Sequence, residues 1–180
     1  KEIQYSIDTN IQHKYAVCDK TKLQEIYLNI VSNAIKYTPN GQAIHVNITE
    51  TASDDKKAWY VFICEDTGIG MKQEYLPHIF DEFSREHTAT ENKVVGTGLG
   101  LSIVKSFVEL MDGKIYVESE QGKGTKFTVE IPLEIASEED VYKKKESEQS
   151  VISDKSIGKR ILLAEDNELN AEIAIELLKE

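Results

Sequence analysis

The stretch VVGTGLGLSIVKS, Val94 to Ser106, sets Gly96, Gly98 and Gly100 within five residues and then turns apolar. Glycine lets backbone N–H groups approach a ligand closely. A helix start adds unpaired N–H donors at the positive end of its dipole, so this arrangement suits a phosphate. Two familiar phosphate loops fail on spacing. A P-loop needs Gly-Lys-Ser/Thr beyond four intervening residues, and no lysine follows these glycines at that interval. A dinucleotide-binding turn wants a glycine where Leu101 stands and a buried strand before it, yet only Val94 and Val95 separate the glycines from the polar REHTATENK of Arg85–Lys93. On the glycines alone two readings stand: a loop that caps a core helix, or a phosphate cradle.

With 180 residues the chain has room for one full core plus a fragment, or one domain with a long tail. Its formal net charge of −11 argues against a nucleic-acid-binding surface, which needs a basic face. A phosphate would therefore be held by backbone, metal and a few placed cations. Cys18 and Cys64 fall in separate apolar runs and read as core thiols of a reducing compartment. No apolar run approaches a membrane span of ~20 residues, so the chain reads as soluble, without membrane contact and cytoplasmic, an anchor elsewhere in a longer protein being left open.

Outward from the glycines, Ile3–Asp8 and Tyr15–Asp19 alternate as short strands, and Asp19 is placed to cap a helix. From Lys20 to Tyr37, Leu23, Tyr27, Ile30, Val31 and Ala34 share one helical face, and Pro39-Asn40-Gly41 ends the run. Ala43–Thr49 and Ala58–Asp66 read as strands. The second is apolar on both sides, which predicts a central strand covered on both faces. The segment from Thr67 to Lys93 is polar and glycine-bounded with small apolar patches, the character of a lid, and its part from Met71 to Val95 is expected to be mobile when the site is empty. The helix after Gly100 is apolar nearly all round and is expected to be buried on most sides. Gly113–Ser119 and Gly124–Leu133 form a closing hairpin. From Glu134 to Gly158, eleven of 25 residues are charged and only Tyr142 is aromatic, which reads as a disordered linker.

Opposite its apolar face, the first helix aligns Asn29, Asn33 and Lys36, with Tyr37 one turn beyond Asn33. Two amides, an ammonium and an aromatic make a row suited to a nucleotide: amide oxygen for hydrated Mg²⁺, amine for phosphate, ring face for a base. The plain alternative is a solvated face, although two interior asparagines cost about 1 kcal/mol together relative to alanine. Glu65–Gly70, EDTGIG, closes the central strand. Asp66 there makes either an Asx-turn or, in a nucleotide site, an acceptor for the exocyclic amine of adenine that repels the carbonyl of guanine.

Taken in order, LQEIYLNIVSNAIKYTPNG, DTGIG, IFDEFSR and GTGLGL resemble the catalytic and ATP-binding domain of sensor histidine kinases, within the superfamily that also holds gyrase, mismatch-repair ATPases and an ATP-dependent chaperone. The resemblance covers residues 1–133. It implies an α/β sandwich of the Bergerat type, a mixed sheet with three helices on one face, holding ATP and Mg²⁺ beneath the lid. By position Asn33 resembles the Mg²⁺ ligand, Asn29 its support, Lys36 the phosphate-binding lysine and Tyr37 the ring against adenine. Asp66 matches the adenine-reading aspartate, with Gly68 and Gly70 beside it, and Phe80 and Phe83 the apolar pair anchoring the lid. Arg85 falls where these kinases keep a basic residue that reaches the γ-phosphate. Gly96, Thr97, Gly98, Leu99, Gly100 and Leu101 match the phosphate-facing turn.

The implied reaction is transfer of the γ-phosphate to a histidine, with Asn29, Lys36 and Arg85 serving the chemistry. Hydrolysing relatives place a glutamate at the position of Asn29, where it activates water; a neutral amide cannot take that proton. The other readings are an ATPase of the superfamily and a regulatory nucleotide-binding module. The acceptor in this family sits on a dimerising phosphotransfer hairpin, and His13, His45, His78 and His87 all lack its sequence context. That hairpin is an expected partner. In residues 159–180 an apolar run ends in Glu165-Asp166 and continues as a helix, resembling the first strand and helix of a receiver domain in a hybrid kinase.

Overall fold

A computed structural model describes residues 1–54, 56–85 and 97–140 of the chain. The capping reading at Asp19 is correct: its carboxylate accepts the Lys22 backbone N–H at 3.1 Å and starts helix α1, Lys20–Tyr37. Ile26, Ile30 and Ala34 of α1 are buried one turn apart. Thr38 ends the helix in extended geometry before Pro39, which cannot continue it.

The six strands are β1 (Gln4–Asn10), β2 (Ala16–Val17), β3 (Ala43–Ser53), β4 (Lys57–Asp66), β5 (Lys114–Glu120) and β6 (Gly124–Ile135). They pair in the order β1-β3-β4-β6-β2, with β5 also on β6. β1 runs parallel to β3 and the other pairings are antiparallel, which makes the sheet mixed. Helix α2 spans Gly100–Leu110. The Tyr27 ring of α1 stacks on Phe62 of β4 at 4.4 Å between centroids, which fixes the helical layer over the alternate residues of the sheet. Ile26, Ile30, Val104, Val108, Val129 and Ile131 fill the space between. This is the α/β sandwich expected.

Several details differ from the sequence reading. β4 is central, and its second face is covered unevenly: Val61 is buried, Trp59 and Ile63 are half-buried and Glu65 is exposed. α2 buries only Val104 and Val108, leaving Ile103 and Leu110 exposed at 38% and 71%. Among the described residues of the lid segment there is one 3₁₀ turn, Leu76–His78, with Pro77 in its first turn. The folded unit also passes the expected boundary at Leu133. Glu134 and Ile135 pair with β2, and the Ile135 N–H donates to the Lys56 carbonyl at 2.8 Å. Charge in the sequence marked the linker start too early, because strand pairing leaves room for an exposed Glu134. Lys1–Glu138 make one compact unit. Gly96, His87 and residues 159–180 with Glu165 and Asp166 lie outside the described residues.

Candidate active site

α1, the end of β4, the 3₁₀ segment and the start of α2 enclose a cavity of about 260 Å³. Asn29, Asn33, Lys36 and Tyr37 line one wall, as their helical spacing requires. Asp66 and Gly70 line another, and Arg85, Thr97, Gly98, Gly100 and Leu101 complete the side beside α2. Eleven of the sequence-predicted residues therefore meet around one space.

At the α2 end, a Cβ placed on Gly100 would lie 2.6 Å from the Asn29 Oδ1, so only glycine lets that amide sit at the helix start. The Asn29 Nδ2 donates to the Glu25 carbonyl at 2.9 Å, which fixes the amide with its oxygen toward Gly100. Among the described residues the Asn33 side chain makes no hydrogen bond and stays open to the cavity. The Lys36 Nζ lies 5.2 Å from the centre of the Tyr37 ring. Partial burial and then the charge of Arg85 hold the Lys36 ammonium below its ordinary pKa. Two cations thus face the same cavity, and an anion there would relieve their repulsion.

At the β4 end Asp66 is 7% exposed, and burial raises its carboxyl above the ordinary aspartate value, against the lowering effect of the Gly68 and Thr125 N–H groups. The Gly68 N–H donates to its Oδ1 at 2.8 Å. Gly70 holds φ +61°, and a Cβ there would fall 1.9 Å from the Glu120 carbonyl, so the DTGIG turn packs directly on the β5–β6 hairpin.

Four assignments take other places. Gly68 supports the Asp66 turn without lining the cavity, and Leu99 stands just before α2 outside its wall. Phe80 packs on the core with the Lys105 Nζ over its ring at 5.9 Å, whereas the Phe83 side chain is 68% exposed, at φ +58°. An apolar side chain in a short loop carries no periodicity to show which way it points. The sequence reading missed Thr125, Met71, Ile79 and Phe127, all in the cavity wall. Thr125 lies opposite Asp66 in the β4–β6 register, a pairing no local pattern reveals.

Residues 18–135 match the histidine kinase-, DNA gyrase B-, and HSP90-like ATPases. The chain belongs to that family. Within this ATPase family it is 36% identical over 174 residues, 94% of its length, to the autoinducer 2 sensor kinase/phosphatase LuxQ of Vibrio parahaemolyticus, of which it spans 19%. It is 34% identical over 151 residues, 84% of its length, to hybrid signal transduction histidine kinase D of Dictyostelium discoideum, of which it spans 10%. A solved structure, full-length ShkA in complex with AMPPNP, superposes with a TM-score of 0.54 at 30% identity, covering 74% of this chain and 26% of that one. The fold is that of histidine kinase catalytic domains. No helix among the described residues is long and apolar enough to cross a membrane.

Proposed function

We propose that the chain is the ATP-binding catalytic domain of a hybrid sensor histidine kinase, passing the γ-phosphate of ATP to a histidine on a phosphotransfer hairpin. One observation carries this reading. Among the described residues lining the cavity Asp66 is the only carboxylate, and it stands at the end of β4, while the residue against the start of α2 is the amide Asn29. The α2 end can hold a triphosphate and has no base to activate water. Lys36 and Arg85 draw charge from the phosphates, the α2 start receives them on its N–H groups, and Asp66 accepts from the adenine amine.

The donor set also fits Mg²⁺. The ion takes one or two protein oxygens and completes its shell with phosphate and water, and Asn33 offers an amide oxygen with no partner among the described residues. Asn33 would hold the ion and Asn29 support it; when bound, Mg²⁺ neutralises charge on the phosphates. No group of three acidic, histidine or cysteine side chains among the described residues forms a separate metal site.

His13 bonds Glu50 at 2.8 Å, His45 bonds Ser6 at 2.8 Å and His78 bonds Asp81 at 2.9 Å, and none lines the cavity. This supports an acceptor outside these histidines. The LuxQ match spans 94% of the chain and so must extend past Glu138, which supports a receiver opening at 159–180 with Glu165 and Asp166 as its acidic pair. The test is incubation of the purified chain with γ-labelled Mg²⁺·ATP, alone and with an added phosphotransfer hairpin from a sensor histidine kinase. Binding without turnover, and acid-labile label on the hairpin, is expected. Sustained ATP hydrolysis by the chain alone would replace this reading with that of an ATPase.

A further inference from the structure

Asp66, Thr125 and Ser119 stand in one row across β4, β6 and β5, each directly opposite the next in the strand register. Asp66 and Thr125 line the cavity, and Ser119 lies behind Thr125, away from it. The Ser119 Oγ meets three groups, each at 2.9 Å: the Gly124 carbonyl, the Met71 N–H and the Thr125 Oγ1.

A count of protons orients this cluster. The Gly124 carbonyl can only accept, so it takes the one proton of the Ser119 hydroxyl. The Met71 N–H can only donate, so it occupies a Ser119 lone pair. The remaining contact, Ser119 to Thr125, then has one consistent direction: Thr125 donates to Ser119. With its proton committed to β5, the Thr125 hydroxyl turns lone pairs alone toward the cavity. Beside it the ionised Asp66 is also acceptor-only.

We infer that Ser119 is a positioning residue for base selection: by holding the Thr125 proton it makes the β4 end of the cavity a pure acceptor surface, matched to a purine bearing an exocyclic amine. The inference rests on the adenine reading of Asp66 and adds a residue that touches no ligand. A purine with a carbonyl at that position meets lone pairs and finds no donor, and an unpaired buried acceptor weakens its binding. Without Ser119, the Thr125 hydroxyl is free to rotate and donate to such a carbonyl.

The test compares ATP with inosine triphosphate, which carries a carbonyl in place of the amine, and includes inorganic triphosphate as a probe without a base. Calorimetry on the unmodified chain should show tighter binding of ATP. Ser119→Ala should lower the ATP-to-inosine-triphosphate affinity ratio roughly fivefold, the worth of about one hydrogen bond, with inorganic triphosphate unchanged. Ser119→Thr keeps the hydroxyl and should retain the ratio. Thr125→Val, which keeps the side-chain shape and removes the hydroxyl, should also lower it. If the unmodified chain prefers ATP and Ser119→Ala or Thr125→Val does so equally, the role of Ser119 is overturned and the Asp66 reading survives. A parallel loss of all three ligands in Ser119→Ala would reduce Ser119 to a fold residue, overturning the inference. No preference in the unmodified chain would overturn the adenine reading itself.

Discussion

The amide oxygen of Asn29 fills the space that a side chain at Gly100 would need, 2.6 Å from where that Cβ would stand. Through this contact α1 and the start of α2 share one end of the cavity. Gly100→Ala stands at the first residue of α2, where it gains only part of the interior helix propensity of about 1 kcal/mol, while displacing the Asn29 amide. Thermal stability should therefore change little as ATP affinity falls roughly tenfold, the scale of one lost contact to a charged ligand. A melting curve and a calorimetric titration of the same variant separate the two effects; unchanged affinity would remove Asn29 from the site.

Burial sets the behaviour of Asp66 with pH. Its carboxyl titrates above the ordinary aspartate value in the folded chain, so the folded state holds this proton more tightly than the unfolded state. The associated stability is full below the unfolded value and is lost as pH rises through the folded one. At neutral pH the ionised group is thus a burden on the nucleotide-free fold. Asp66→Asn should keep or raise the melting temperature there while abolishing the preference for ATP over GTP. Adenosine, which carries no phosphate to titrate, should bind less tightly on acidification, beginning above the pH at which an ordinary aspartate takes its proton.

Asn33 gives a metal-dependent outcome. Asn33→Ala should weaken ATP binding mainly in the presence of Mg²⁺, and titrations with EDTA should bring variant and parent chain close together. An equal loss with and without the metal would assign Asn33 to the phosphates instead.

The end of β6 predicts where the chain tolerates shortening. A chain ending at Leu133 loses the pairing of Glu134 and Ile135 with β2 and the bond from the Ile135 N–H to Lys56, and should melt at a lower temperature. One ending at Glu138 keeps the whole unit and should bind ATP as the full chain does. Differential scanning calorimetry of both tests the boundary.

What the sequence determined by itself was whatever lies within one element or one short turn. The helical period of Lys20–Tyr37 separates Leu23, Tyr27, Ile30, Val31 and Ala34 from Asn29, Asn33 and Lys36, and no partner is needed to read that division. Asp66 followed by two glycines, and three glycines ahead of an apolar helix, likewise carry their chemistry in local backbone demands. Tertiary structure decided what covers each face and which strands become neighbours. It left the sides of α2 at Ile103 and Leu110 exposed and turned Phe83 outward. It also placed Thr125 beside Asp66 and Ser119 behind it. Periodicity reports only which side of an element is apolar; strand register is fixed by contacts between residues far apart in the chain, where a local pattern holds no information.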